Sequence, residues 1–309
     1  MNKRLSVLLT AFMLLSFSPP LSANSRLTVL LESLRAKLGP LAVLITNPQT
    51  GQIIYEYGSE LLWQSRQAPG SLLKVFVLLA QSQQNHLRTE QIHDCQGFRE
   101  YTPDKICWLA PGHGPLNLIQ ALAHSCNDYF YHVLVKDRLS QVVFQRLLER
   151  LGFVRPYAFL LPKTEFERSA IGLDAHLQVV PAQILLAYNA LFNGGRLFSR
   201  QGKMTGRLEI PDAFVAVLRE GMRGAFNYGT ASSLKKNLSA HRLLAKSGTG
   251  AGLIHGEMDW RRTVGWMTVF YPEEKPRLSL LVFVHKGTGA KEAAQVAAEV
   301  LKVVLKKKN

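Results

Sequence analysis

An apolar run that follows a Pro-Gly pair limits what this chain of 309 residues can fold into. Pro69-Gly70 is followed, after Ser71, by the stretch from Leu72 to Ala80, in which Lys74 is the one polar side chain. Such a run after a helix breaker predicts a helix that begins near Ser71 and is buried on all sides. Because other elements must cover that helix, the chain is expected to build a large core around it.

Ser71 and Lys74 lie three residues apart, a spacing that places their Cβ atoms about 5–6 Å apart on one face of a helix. Burial favours the neutral form of the lysine amine, which can then act as a base toward the serine hydroxyl. The helix N-terminus also directs free N–H groups toward the group that Ser71 would attack. The pair therefore predicts a serine nucleophile that needs no histidine. The spacing alone is common, since Ser232 and Ser233 are also followed by lysines three residues later.

The first 23 residues predict export from the cytoplasm. Lys3 and Arg4 give a positive start, the segment from Leu5 to Phe17 is apolar, and Ala23 provides a small residue for cleavage. This pattern is typical of a signal peptide, and the apolar segment is short for a membrane span. We therefore expect a periplasmic or other extracytoplasmic protein.

The chain is strongly basic, with a net charge of +15. Cleavage of the signal peptide would remove two of these charges. An exported protein without a nucleic-acid-binding motif is not expected to bind nucleic acid. The charge is interpreted either as peripheral contact with the anionic cell envelope or as a contribution to solubility alone.

Export also bears on the three cysteines, because disulfides persist outside the cytoplasm. Cys95 and Cys107 are expected to close a small loop as a disulfide, which leaves Cys126 as a buried thiol. A zinc site that combines these cysteines with His113 or His124 is the alternative. No C-x-x-C or H-x-x-x-H spacing supports it, so we predict no metal, and no cofactor either.

The order of predicted elements indicates a mixed α/β protein. Strands are predicted near both ends of the chain, at 41–46, 52–57, 243–249, 263–271 and 278–285. The chain between them is mainly helical, and a closing helix is predicted at 290–306. We therefore predict one domain at 24–309, with an α/β part at about 25–80 and 206–309 and a helical insertion at about 81–205.

Two further polar motifs follow Ser71-x-x-Lys74. Ser125-x-Asn127 lies in a polar link between two predicted helices, and Lys246-Ser247-Gly248 lies on a predicted strand. The three motifs resemble those of penicillin-recognising serine enzymes, and the chain resembles the transpeptidase domain of class B penicillin-binding proteins over roughly residues 40 to 305. The flanking segments that carry the same resemblance are Gly112-His113-Gly114, Ala121-Leu122, Asp128-Tyr129-Phe130-Tyr131, Ile171-Gly172, Val180-Pro181-Ala182-Gln183, Asn193-Gly194-Gly195, Gly221-Met222, Gly229-Thr230-Ala231 and Gly265-Trp266.

The resemblance implies four catalytic residues. Ser71 is the expected nucleophile that becomes acylated, and Lys74 is its expected general base. Ser125 is expected to relay a proton to the leaving group. Lys246 is expected to bind the terminal carboxylate of the substrate and to assist proton transfer.

The resemblance likewise implies four substrate-binding residues. Asn127 is expected to hold the substrate backbone, and Ser247 to bind the terminal carboxylate beside Lys246. Gly248 is expected to allow close approach to the nucleophile helix. The backbone N–H of Thr249 is expected to form the oxyanion hole together with that of Ser71.

The resemblance also implies the fold and the substrate. The expected fold is the β-lactamase/transpeptidase-like one, in which an antiparallel sheet flanked by helices meets an all-helical subdomain and the active site lies at their junction. The expected substrates are peptidoglycan stem peptides that end in D-Ala-D-Ala, and β-lactam antibiotics would acylate the same serine. A D,D-transpeptidase or D,D-carboxypeptidase is therefore expected, with other cell-wall proteins as possible partners. Too few residues precede Ser71 for the non-catalytic domain usual in class B proteins, so a stand-alone catalytic domain is expected.

A serine β-lactamase is the main alternative, and it would need an efficient deacylation base. Glu165 and Glu167 lie where class A enzymes carry theirs, but the surrounding sequence does not match, so both are expected to be surface carboxylates. Lys74 is placed to serve as the carboxylated lysine of class D enzymes, whose second motif usually has a hydrophobic residue where Asn127 stands. A non-hydrolytic β-lactam or muropeptide-binding protein is the third hypothesis.

Overall fold

The computed structural model describes residues 21–97, 106–153, 161–174, 176–254 and 257–306. Most of the predicted signal peptide lies outside these residues. Within them, no helix has the length and apolar character needed to cross a bilayer.

Helices and strands alternate along the chain in an order that gives one large sheet and two small ones. The helices are α1 (Leu21–Leu38), α2 (Ser59–Trp63), α3 (Lys74–Gln83), α4 (Leu118–Ala123), α5 (Asn127–Tyr129), α6 (Gln141–Arg150), α7 (Lys163–Ala170), α8 (Pro181–Ala190), α9 (Asp212–Asn227), α10 (Lys235–Leu238) and α11 (Ala294–Val304). The strands are β1 (Leu41–Thr46), β2 (Ile53–Tyr57), β3 (His93–Cys95), β4 (Gly114–Leu116), β5 (Arg196–Phe198), β6 (Met204–Arg207), β7 (Leu244–Ile254), β8 (Glu257–Tyr271) and β9 (Leu278–Val284). Short 3₁₀ turns at Gly70–Leu73 and Ser232–Leu234 precede α3 and α10, and π-helical turns at Phe130–Val135 and Gly289–Ala293 follow α5 and precede α11.

The large sheet has five antiparallel strands in the order β2-β1-β9-β8-β7. β1 pairs with β9 from Leu41 opposite Val284 to Thr46 opposite Ser279. Every residue of these two strands is buried, because they lie inside the sheet and both sheet faces are covered. A strand from the start of the chain is thus inserted beside strands from its end, so neither part can complete the sheet alone.

Each face of the sheet has its own hydrophobic core. On one face, α1 and α11 pack on the sheet through residues such as Leu27, Leu31 and Val300. On the other, α3 is buried from Lys74 to Ser82 and packs among the helices of the middle of the chain. The mixed α/β fold with an antiparallel sheet flanked by helices is therefore as predicted. The helix expected near Ser71 starts as a 3₁₀ turn and becomes α-helical at Lys74.

Two predictions about particular side chains are wrong. Cys95 and Cys107 do not form a disulfide: both are free thiols, as is Cys126, and each of the first two lies against the imidazole of His113. Glu167 is also not on the surface but 3% exposed. Its carboxylate accepts hydrogen bonds from the backbone N–H of Asp137 and from a tyrosine hydroxyl, which compensate for its burial.

Candidate active site

A cavity of about 500 Å³ lies where β7 meets the helical part of the molecule. Six of the eight predicted site residues line it, and these are Ser71, Ser125, Asn127, Ser247, Gly248 and Thr249. Lys74 and Lys246 are fully buried behind the lining. The three motifs, which are far apart in the sequence, therefore converge on one space.

The turn that carries Ser71 is pressed against β7. Gly70 has a φ of +55°, and a Cβ atom there would lie 2.2 Å from the carbonyl oxygen of Thr249. A Cβ atom on Gly248 would lie 2.9 Å from the carbonyl oxygen of Pro69. Only glycine allows the positive φ at Gly70 and the close approaches at both positions. The two glycines therefore set how closely the turn that carries Ser71 packs against β7.

The amine of Lys74 has four oxygen neighbours, of which Ser125 Oγ, at 3.5 Å, is the most distant. It donates to the carbonyl oxygen of Ser125 at 2.7 Å and to Oδ1 of Asn127 at 2.5 Å, and it lies 3.1 Å from Oγ of Ser71. A neutral amine has two N–H donors and one lone pair. The two acceptors use both donors, so the lone pair is left for the Ser71 hydroxyl proton, as a general base requires.

The electrostatics favour that neutral amine. Burial lowers the pKa of Lys74 to about 8. The pKa of Lys246 is well below its ordinary value because of burial and, second, because of the nearby charge of Lys74. Two lysines on either side of one serine hydroxyl therefore give up protons far more readily than lysines in water.

Ser125 is held in an unusual backbone conformation at the end of α4. Its N–H bonds to the carbonyl of Leu122, and the N–H of Cys126 bonds to that of Ala121, the pattern of a Schellman motif. The position that glycine usually takes in this motif is occupied by Ser125, with a φ of +53°. A non-glycine residue there costs of order 1–3 kcal/mol, and the turn directs the Ser125 hydroxyl toward Lys246.

Hydrogen bonds connect Ser125 to Lys246 on β7, and the next residue of β7, Ser247, to Thr230. Lys246 Nζ donates to Ser125 Oγ at 2.8 Å and to the carbonyl of Ser247 at 2.8 Å. Ser247 Oγ donates to Thr230 Oγ1 at 2.6 Å. Lys246 therefore faces Ser125 from behind the cavity, whereas the hydroxyls of Ser247, Thr230 and Thr249 belong to residues of the cavity lining.

Several residues that the structure places at this site were not predicted from the sequence. Thr230 belongs to a segment that resembles the family but was not predicted as a site residue, yet it accepts a hydrogen bond from Ser247. Trp108 and Trp260 line the cavity and are 52% and 45% exposed. No local pattern marks these aromatic residues, because their place depends on how a loop and a hairpin fold back over the cavity.

The side chains that could hold a metal lie directly beside the cavity. Cys95, Cys107, Cys126 and His113 bring their sulfur and ring nitrogen atoms within 4.8 Å of one another. His124, the other histidine considered, is not part of this group among the described residues. Cys126 lies between Ser125 and Asn127 in the sequence, so the cluster and the candidate active site share a wall.

Comparison with known proteins agrees with this arrangement. The family model described as "Penicillin binding protein transpeptidase domain" matches residues 41–306. Penicillin-binding protein PBP2 of Helicobacter pylori, solved in complex with MreC, is similar at a TM-score of 0.73 and 20% identity, over 90% of this chain and 62% of that one. PBP2 of Pseudomonas aeruginosa, solved with WCK 5153, is similar at a TM-score of 0.74 and 19% identity, over 92% of this chain and 78% of that one.

A third solved structure is similar over nearly the whole length of both chains. This is the transpeptidase domain of penicillin-binding protein 3 from Burkholderia pseudomallei, with a TM-score of 0.72, 17% identity and 92% coverage of each chain. No curated protein matches the sequence significantly. The chain spans less than two thirds of the Helicobacter pylori protein. The match to the family model nevertheless covers most of the chain, which therefore belongs to the penicillin-binding protein transpeptidase family.

Proposed function

We infer that this chain is a penicillin-binding serine acyltransferase that acts on D-Ala-D-Ala peptides of peptidoglycan through an acyl-enzyme on Ser71. The observation that carries the inference is the 3.1 Å contact between Lys74 Nζ and Ser71 Oγ, beside two shorter contacts with oxygen atoms that can only accept hydrogen bonds. β-Lactams, which mimic the dipeptide, would acylate the same oxygen.

Acylation would begin with transfer of the Ser71 hydroxyl proton to the neutral amine of Lys74. The serine oxygen attacks the carbonyl carbon of the penultimate D-Ala. The backbone N–H groups of Ser71 and Thr249 would bind the oxyanion that forms. Collapse of the tetrahedral intermediate would break the C–N bond to the terminal D-Ala. Ser125 Oγ, which accepts a hydrogen bond from Lys246 and lies 3.5 Å from Lys74 Nζ, would pass its hydroxyl proton to the leaving amine and regain one from protonated Lys74.

The carboxylate of the leaving D-Ala would be bound by hydroxyl groups of the lining. Ser247, Thr249 and Thr230 supply these groups. Lys74 lies buried behind the lining and is positively charged once it holds the Ser71 proton, which adds attraction for the carboxylate. An amine of a second stem peptide as acceptor completes transpeptidation, and water as acceptor completes carboxypeptidation.

The residues around the proposed Ser71 acyl-enzyme do not favour its fast hydrolysis, which a β-lactamase requires. No carboxylate or histidine belongs to the described lining of the cavity. Glu165 forms an exposed ion pair with His176, and Glu167 is bound by Asp137 and Tyr131, so neither lines the cavity. Without a carboxylate or histidine in that lining to activate water, hydrolysis of the acyl-enzyme is expected to be slow compared with attack by an acceptor amine.

The family and its solved relatives suggest the setting. The Helicobacter pylori relative was solved in complex with MreC, and we place this chain, by analogy, among cell-wall proteins outside the cytoplasm. Export through the predicted signal peptide at residues 1–23 would bring it there.

Labelling with a fluorescent penicillin tests the proposal. The wild type is expected to form a stable adduct on Ser71, and Ser71→Ala to form none. Ser232→Ala is the matched control, since Ser232 is also followed by a lysine three residues later but is exposed. Its labelling is expected to be unchanged. Rapid release of hydrolysed drug would overturn the acyltransferase proposal in favour of a β-lactamase. A second assay, which analyses the products formed from a D-Ala-D-Ala peptide with and without an acceptor amine, distinguishes the transferase from the carboxypeptidase reaction.

A further inference from the structure

Three thiols and one imidazole meet in a small buried space next to the candidate active site. Cys95 ends β3, Cys126 precedes α5, and Cys107 and His113 lie on either side of a turn. The exposed fractions of Cys95, Cys107 and Cys126 are 1%, 4% and 0%. Thiols are weak hydrogen-bond donors and weak acceptors, so this many in one place form a poor hydrogen-bond network but a good ligand set.

The distances suit a tetrahedral metal ion. Nδ1 of His113 lies 3.6 Å from Sγ of Cys95 and 3.3 Å from Sγ of Cys107. Zinc bonds of about 2.3 Å to sulfur and about 2.0–2.1 Å to nitrogen, at tetrahedral angles, separate a sulfur and a nitrogen ligand by about 3.6 Å. Sulfur pairs would be about 3.8 Å apart, so the widest separation here, at most 4.8 Å, would contract by about 1 Å.

The backbone around the sulfur atoms is arranged for thiolates. Cys95 Sγ accepts N–H groups from His113 and Gly97, Cys107 Sγ accepts that of Leu109, and Cys126 Sγ accepts that of Tyr129 at 3.4 Å. N–H donors of this kind stabilise negative sulfur and orient it.

Two glycines let the segment that carries Cys95 approach the turn between Cys107 and His113. Gly97 and Gly112 both have positive φ, of +70° and +78°. A Cβ atom on Gly97 would lie 2.2 Å from the carbonyl oxygen of Ala110, and one on Gly112 would lie 2.0 Å from that of Cys95. The close approach of these two segments is thus built into the backbone and does not depend on a disulfide.

We propose that Cys95, Cys107, Cys126 and His113 bind one Zn²⁺ as a closed structural site that positions the Ser125–Asn127 wall of the active site. Three thiols release their protons to solvent on binding, and His113 binds through the lone pair of its neutral Nδ1. Sulfur-rich tetrahedral sets select zinc over magnesium or calcium. Four protein ligands leave no open position, so the ion is structural and does not bind substrate.

The link to the active site runs through neighbours of two ligands. Cys126 joins Ser125 to Asn127, and both of these accept hydrogen bonds from Lys74. Asn127 Nδ2 donates to the carbonyl of Ile106, the residue before Cys107, at 2.9 Å. Fixing Cys107 and Cys126 on one ion therefore fixes both ends of the Asn127 amide and the acceptors that orient the Lys74 amine.

Metal analysis of the purified full chain tests the site without reference to activity. We expect elemental mass spectrometry to find about one zinc ion per chain. The three thiols are expected to react with an alkylating reagent only after unfolding and chelation. Cobalt added to the metal-free protein is expected to show thiolate-to-metal charge-transfer absorption. Iron in place of zinc, no bound metal, or a Cys95–Cys107 disulfide in the native protein would each overturn the proposal.

Matched variants identify the ligands. Cys95→Ser and His113→Gln are expected to lower the zinc content at least tenfold, whereas His124→Gln keeps it, because the His124 ring lies beside that of His113 but outside the cluster. If a ligand variant fails to fold, the number of zinc ions bound per wild-type chain is measured instead, by removing the zinc with a chromogenic chelator. Zinc retained in both ligand variants would contradict the assignment.

The positioning effect rests on the proposed function and has its own readout. Metal-depleted wild type that keeps its far-ultraviolet circular dichroism is expected to react with fluorescent penicillin at least tenfold more slowly, and to recover when zinc is returned. An unchanged rate would remove the link to the active site. Ser71→Ala is expected to keep one zinc while losing its label, so a failure of the proposed function and a failure of the zinc site give different results.

Discussion

The proposed role of Lys74 as a base depends on how burial changes a residue that is ordinarily charged. A lysine in water holds its proton at neutral pH, and a buried one pays to do so. Here the carbonyl of Ser125 and the amide oxygen of Asn127 compensate for the buried N–H groups without adding negative charge. They orient the amine without stabilising its protonated form as strongly as a carboxylate would, so the neutral form is reached at a lower pH than for a lysine in water.

Acylation by penicillin is therefore expected to rise with pH. Because the Lys74 pKa is lowered to about 8, the amine is mostly protonated and inactive below that value. The second-order rate constant of labelling should increase about tenfold per pH unit between pH 6 and 7 and level off above about pH 8. Stopped-flow or gel-based labelling from pH 6 to 9 measures it.

Lys74→Arg provides the comparison for this prediction. Its guanidinium keeps its proton throughout this range, so the remaining labelling is expected to be at least 10² lower and to lack the rise with pH. A wild-type rate that does not change from pH 6 to 9 would contradict the role of Lys74 as the base.

At the scale of elements, β7 and the turn that carries Ser71 are packed so closely that neither can move without the other. Gly70 and Gly248 bring the turn against the strand, and the Trp266 indole N–H donates to the carbonyl of Ala68 at 2.9 Å, which ties the same turn to β8. Close packing of this kind transmits small changes in volume. The geometry at Ser71 should thus be sensitive to a single methyl group on β7.

Gly248→Ala tests this sensitivity. The added Cβ would lie 2.9 Å from the Pro69 carbonyl and from Leu72 Cγ, so we expect a loss of about 1–3 kcal/mol in the free energy of unfolding and a slower reaction with penicillin. Gly206→Ala is the control, since its Cβ would meet only Leu197 Cδ1, at 3.7 Å. Chemical denaturation and labelling of the two variants should differ clearly, and equal behaviour would refute the close approach.

The elements and the active-site motifs were predictable for a physical reason. Strands such as β1 and β9 are continuous apolar runs, and each motif pairs residues one to three positions apart, so both leave a local signal in the sequence. The cysteine cluster leaves none. Its ligands come from separate segments that meet only when β3 pairs with β4 and α5 packs beside them. Spacing therefore suggested a disulfide where the fold brings together four ligands.

At the scale of the whole molecule, α1 belongs to the core although the family match begins only at residue 41. Leu27 and Leu31 are fully buried and Leu34 is 6% exposed, in the core that α1 and α11 form on one face of the sheet. Burial of each leucine contributes roughly 1.5–3 kcal/mol. Together these are comparable to the total stability of a typical domain, about 5–15 kcal/mol. Cleavage near Ala23 would leave all three leucines in the mature protein.

Two substitutions on α1, made in the protein that begins at residue 24, measure how much this helix stabilises the fold. Leu31→Ala is expected to cost about 2–5 kcal/mol of unfolding free energy, because it opens a cavity between α1 and the sheet. Val29→Ala, two residues away on the exposed side at 72% exposure, should cost less than about 0.5 kcal/mol. Urea denaturation measures both. Labelling with penicillin at low temperature should persist in each variant, because α1 packs on the sheet face opposite α3 and its Lys74. Equal stabilities would show that α1 is dispensable and that the domain begins at β1.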